Sequence, residues 1–76
     1  MKLDEDKIDD TVLALLFLSS AGEGRAWKGF DWDALSRLHE KGYISDPVSR
    51  AKSVYLTEEG LARSEQLARA LFGKAE

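Results

Sequence analysis

Asp31 to Gly60, DWDALSRLHEKGYISDPVSRAKSVYLTEEG, is the stretch that most narrows what this chain can fold into. Asp31 is placed as an N-cap, Phe30 and Leu35 form a hydrophobic staple, and Trp32, Leu35 and Leu38 give the following short helix an inner face. Gly42 stands where a left-handed residue closes such a helix. Tyr43-Ile44 and Val54-Tyr55-Leu56 then read as short paired strands, because β-branched and aromatic side chains suit a pleated surface. The intervening segment, Ser45 to Ser53 with Asp46-Pro47 inside it, is too long for a two-residue turn and predicts a projecting polar loop. Thr57 caps a third helix with Glu58 and Glu59 in its first turn and Leu56 and Leu61 as staple. Its buried stripe is expected at Leu61, Ser64, Leu67, Ala68 and Leu71, which leaves Arg63, Gln66, Arg69 and Lys74 to water.

Ahead of this stretch, Asp4 is the expected N-cap of a first helix, with Glu5 and Asp6 opposing the positive end of its dipole and Leu3 and Ile8 as staple. Ile8, Val12, Leu15, Leu16 and Ser19 mark one face, and Leu13, Phe17 and Leu18 extend the apolar character around most of the circumference. So wide a band asks for cover on several sides, and a second copy of the chain is the expected cover. The helix is expected to end near Ser20, before a connection holding Gly22 and Gly24. Arg25 to Lys28 reads as a third short strand beside the other two.

A chain of 76 residues is one domain, residues 1–76, near the lower size limit for folding around a single core without staples. It has no cysteine, which removes disulfides, thiolate metal sites and thiol nucleophiles. The longest apolar run, Val12 to Leu18, falls far short of the roughly 20 residues that span a bilayer. The acidic start at Asp4 to Asp6 is unlike a secretory signal, so the expected compartment is the cytoplasm, with no membrane association. The net charge of −3 is unevenly spread: residues 1–24 carry −4, residues 25–52 carry +2 and residues 53–76 carry −1. The cation-rich third is the helix and loop described above, and a local surplus can attract phosphate even on an acidic protein.

LSRLHEKGYI followed by VYLTEEG, within residues 35 to 60, resembles the signatures of winged-helix regulators such as the multiple-antibiotic-resistance and phenolic-acid repressor families. The resemblance implies an α+β winged-helix-like domain of three helices and a β-hairpin wing. The positioning helix of that fold is shortened or missing here, since only Ala21 to Phe30 separate the first two helices. It further implies double-stranded DNA as partner, a role in transcription regulation, and a DNA-facing surface made by Ser36, Arg37 and Lys41 on the second helix and by Arg50 and Lys52 in the wing. Asp33 and Glu40 share that helix and oppose phosphate, so a solvated face of mixed charge is the competing reading. The whole chain, including WKGFDWDAL and KGYISDP, is also similar to a family of small bacterial proteins defined only as a domain of unknown function, which implies a bacterial source and no particular activity.

The remaining candidates point away from catalysis. His39 is the single histidine, and neither a metal site nor a nucleophilic triad can be built around it, so its expected role is structural. Asp9-Asp10 lacks the spacing of a calcium loop and reads as helix-start charge. The glycines at 22, 24 and 29 lack the GK[ST] ending of a phosphate loop. Trp32 is expected to complete the small core and Trp27 to cover its edge. No cofactor, metal, small-molecule ligand or enzymatic activity is therefore expected. Two readings stay open: a weak DNA-binding regulator acting as a homodimer, or a homo-oligomeric protein-interaction module that does not bind DNA and offers its first helix and the Trp27 region.

Overall fold

A computed structural model describes residues 1–20 and 24–74; the expected glycine-rich connection at Gly22 lies outside the described residues. Five elements follow one another: α1 (Glu5–Ser20), β1 (Arg25–Trp27), α2 (Trp32–Glu40), β2 (Ser53–Tyr55) and α3 (Glu58–Phe72). The caps sit where the sequence puts them. Asp4 accepts from the Lys7 amide at 3.1 Å, Asp31 from the Ala34 amide, and Thr57 from the Gly60 amide at 3.0 Å, each satisfying an orphan donor of the first turn. At the other end of α2, Gly42 adopts φ +82°, its amide donates to the His39 carbonyl, and the Tyr43 amide donates to the Leu38 carbonyl. This double closure is a Schellman motif, and it turns the chain abruptly out of the helix.

The sheet is antiparallel, with Arg25 opposite Tyr55, Ala26 opposite Val54 and Trp27 opposite Ser53. The strand expected at Arg25 is thus the main partner of β2. The hairpin expected between Tyr43-Ile44 and Val54-Leu56 is reduced to one bridge, Ile44 with Leu56, extended by the Ser45 amide donating to the Tyr55 carbonyl at 2.8 Å. The Ser45 hydroxyl accepts from the Tyr55 amide, so a side chain replaces the next rung of the ladder and pairing stops there. Beyond it the loop is irregular: Asp46 accepts from the Val48 amide across an Asx turn, and Pro47 is buried. Three helices and a small antiparallel sheet in this order form a winged-helix-like α+β arrangement. No helix stands between β1 and α2.

Every layer is assembled on α1, which packs against α2, α3 and β1, whereas α2 and α3 do not pack on each other. Leu13 and Leu16 of α1, Leu35 and Leu38 of α2, Ile44 and Val54 fill the centre and are fully buried. The face of α1 that turns inward differs from the expected one. Asp9, Val12, Leu13, Leu16 and Ser20 are buried, Leu15 is half-buried and Ser19 is exposed, a rotation imposed by having partners on three sides. Two tryptophans also depart from expectation: Trp32 is 54% exposed and Trp27 67% exposed, and Ala34 occupies the inward position expected of Trp32. Leu71, expected in the buried stripe, is exposed, while Arg63, expected in water, is half-buried within 3.9 Å of Asp10.

The start of α3 is pressed against the backbone after α2. Thr57 donates its amide to the Tyr43 carbonyl and its hydroxyl to the Gly42 carbonyl, at 3.0 and 2.6 Å. This brings Gly60 so near that a Cβ there would lie 1.8 Å from the Tyr43 carbonyl oxygen. Gly60→Ala is therefore expected to destabilise the protein by about 2–3 kcal/mol through forced backbone displacement, read as a lowered midpoint in urea unfolding. Gly29→Ala, with open space around the new methyl, is the matched control that leaves the midpoint near its parent value.

Candidate nucleic-acid interface

The cations of α2 turn back onto the protein. Arg37 and Lys41 lie one turn apart, an arrangement in which like charges repel, yet both reach the same carboxylate on α1. Arg37 Nε donates to both oxygens of Asp9 at 3.0 and 2.9 Å, its Nη2 lies 2.8 Å from Oδ1, and Lys41 Nζ donates to Oδ2 at 2.9 Å. Outer carboxylates complete the cluster: Glu5 accepts from Arg37 at 3.0 Å and Asp6 from Lys41 at 3.3 Å. The Asp9 side chain is 0% exposed, while those of Arg37 and Lys41 keep 25% and 35% of their surface in water.

Burial alone would push the Asp9 carboxyl up, but the hydrogen bonds and charges of Arg37 and Lys41 outweigh it and hold the group below the usual carboxylate range. The same hydrogen bond to Asp9 raises the Arg37 pKa, and its counterpart raises that of Lys41. Among the described residues no buried side-chain polar atom is left without a hydrogen-bond partner, so the charged cluster satisfies itself. Asp9 is the residue that sequence reasoning missed. An acid on an apolar helix face, at the position the inward rotation selects, was the available signal.

Of the remaining residues expected at the interface, Ser36 is exposed on α2, and Arg50 and Lys52 are exposed in the loop without an ion pair among the described residues. The structure therefore separates the five into an α2 group and a loop group. The loop is moored by Lys28, whose ammonium donates to the Pro47 and Ser49 carbonyls at 2.7 and 2.8 Å and lies 5.9 Å from the Trp32 ring. Beside it, the outer face of the sheet carries Arg25, Trp27 and Tyr55, all exposed, with the Arg25 guanidinium 5.8 Å from the Tyr55 ring and its Nε donating to the Ser53 hydroxyl at 3.0 Å. His39 binds the Ile44 carbonyl through Nδ1 at 3.0 Å, tying the end of α2 to the residue that bridges to Leu56. No group of three or more metal-ligating side chains occurs among the described residues, and no described helix is long and apolar enough to cross a membrane.

Residues 4–74 match the family model described as "Domain of unknown function (DUF6429)". The chain is also 62% identical over 72 residues to "Uncharacterized protein y4hR" of the bacterium Sinorhizobium fredii (strain NBRC 101917 / NGR234), covering 95% of this chain and 97% of that protein. No solved structure matches the chain.

The charge cluster has a pH signature. A carboxyl whose folded pKa lies below its unfolded value contributes stability above the unfolded pKa, and this is lost as pH falls through the folded one. Acid unfolding is accordingly expected to include Asp9, with stability declining below the ordinary carboxylate value of 3.8. Asp9→Asn leaves two cations facing a neutral amide, and is expected to cost about 3 kcal/mol at neutral pH while flattening the acid limb of the stability profile. Urea unfolding of both proteins across pH checks both outcomes.

Proposed function

The chain belongs to the DUF6429 family, and on that footing we propose that it is a small bacterial, cytoplasmic winged-helix-like module that binds double-stranded DNA weakly, as regulators of transcription do, and performs no catalytic step. The contacts are assigned to the wing, the loop between Ile44 and β2, more than to α2. The observation that carries this reading is the division of the cations: Arg37 and Lys41 are held by Asp9, whereas Arg50 and Lys52 project without ion pairs among the described residues. Wing cations suit phosphate, which positions a protein on a duplex without reading its sequence. Ser36, exposed on α2, is the remaining group of that helix available to a base edge. The acidic first turns of α1 disfavour close approach of DNA along the Asp9 side, which restricts contact to the wing end and keeps affinity low.

A second reading is favoured by a different surface. Phe17 and Leu18 of α1 and Ala68 and Phe72 of α3 line an apolar groove, with Leu18 and Phe72 exposed along it. Glu65 and Arg69 at its rim are paired with each other at 3.3 Å and can pair equally well across a two-fold axis, which suits a second copy of the chain. In this form the protein is a homodimer assembled through α1 and α3, and the dimer can serve either DNA binding or protein interaction.

Each reading has its own measurement. With two phosphate contacts removed, Arg50→Ala/Lys52→Ala is expected to lower the slope of log affinity against log salt by about 2, measured by fluorescence anisotropy on a mixed-sequence duplex. An unchanged slope and affinity would refute the wing assignment. For the groove, Leu18→Asp is expected to shift sedimentation from dimer to monomer, and a parent protein that sediments as a monomer at high concentration removes the second reading.

A further inference from the structure

The outer face of the sheet has a composition that neither wing contacts nor dimerisation explains. Trp27 and Tyr55 are large aromatic residues left in water on adjacent strands of a protein with few large side chains to bury, and Arg25 stands directly opposite Tyr55. We propose that this face is a stacking platform for unpaired nucleobases, so that the protein prefers single-stranded or locally opened nucleic acid to an intact duplex. The inference rests on the nucleic-acid reading above and names the form of nucleic acid.

Three observations converge on it. First, the register places Trp27 diagonal to Tyr55 on the same face, a separation of about 7–8 Å between backbone positions in an antiparallel pair. Side chains set apart along one face in this way can each take a separate, unstacked base. Outward aromatic side chains on a sheet are the common platform for unpaired bases. Second, the phosphate-binding charge is beside the rings. Arg25 and Lys52 line a cavity of about 610 Å³ together with Trp27, Ser19, Ser20 and Ser53, open to solvent and of nucleotide scale. Third, the Arg25 guanidinium already lies over the Tyr55 ring and is held by the Ser53 hydroxyl, so it is oriented before any ligand arrives. Stacking on every base type is similar, which predicts binding with little sequence preference.

The test uses the full chain and two fluorescein-labelled probes, an oligothymidine of about 12 nucleotides, within the span that single-strand surfaces cover, and a duplex of equal length. Anisotropy titrations are expected to show the oligothymidine binding several-fold more tightly. Trp27→Ala, at a site 67% exposed and therefore tolerated by the fold, is expected to weaken oligothymidine binding about tenfold with little change on the duplex. Tyr55→Ser gives a second loss, and an unchanged urea midpoint identifies each loss as one of binding. In a Trp32→Phe background, oligothymidine is expected to quench the remaining tryptophan fluorescence. Equal affinity for both probes, or Trp27→Ala binding oligothymidine as tightly as its parent, overturns the platform even if the wing variant behaves as expected. Loss of oligothymidine binding with Trp27→Ala and no effect of the wing variant on duplex binding leaves the platform and removes the wing assignment. Absence of binding to both probes removes both.

Discussion

Asp9 is the interaction on which the arrangement depends. The second helix has only 9 residues, far too short to persist alone in water, and it leans on α1 through Ala34, Leu35 and Leu38. Apolar contact of that kind fixes a distance but leaves rotation and sliding comparatively free. A buried carboxylate gripped by a guanidinium fork and an ammonium from successive turns fixes both, because the charged hydrogen bonds are directional and the cost of leaving the carboxylate unpaired is high. The i,i+4 repulsion between Arg37 and Lys41 thereby becomes a two-point attachment, and α2 keeps its angle without a helix packed on its other side.

Much of the scaffold was legible because its signals are local. Asp31, Gly42 and Thr57 each act on backbone groups within a few residues, and a cap has the same chemistry in any tertiary context. The third short strand was also readable from its spacing and tryptophan. What the sequence hid is decided by orientation. Whether Asp9 or Ser19 turns inward depends on where α2, α3 and β1 sit around α1, and α1 is apolar around so much of its circumference that periodicity cannot choose. Trp32 was misplaced for a related reason: its position follows the N-cap, where the helix has only just begun and the core has room for Ala34 instead. For the candidate interface, residue type suggested five equivalent polar groups, and only the fold divides them into two cations held by carboxylates and three groups open to solvent.

The division gives the molecule an electrical polarity that its net charge conceals. Glu5, Asp6 and Asp9 gather at one end with the two α2 cations they neutralise. Arg25 and Lys52 lie at the other, beside Ser19 and Ser20 at the far end of α1 and in company with Trp27. A polyanion meets repulsion or attraction according to the end it approaches, so orientation is selected before contact. An acidic protein can present a cationic end on these terms, although two of the six cations of residues 25–52, Arg37 and Lys41, are held at the opposite end by Asp9.

Lys28 holds the wing by main-chain carbonyls at Pro47 and Ser49, and its own amide adds a bond to the Lys52 carbonyl at 3.2 Å. Main-chain acceptors are common to every amino acid, so apart from a longer contact of the ammonium with the Ser49 hydroxyl at 3.4 Å this mooring does not depend on the side chains the loop displays. Relatives can exchange residues at the tip of the loop while its path is preserved, which makes that tip the place where members of one family can diverge in what they touch while sharing a single architecture.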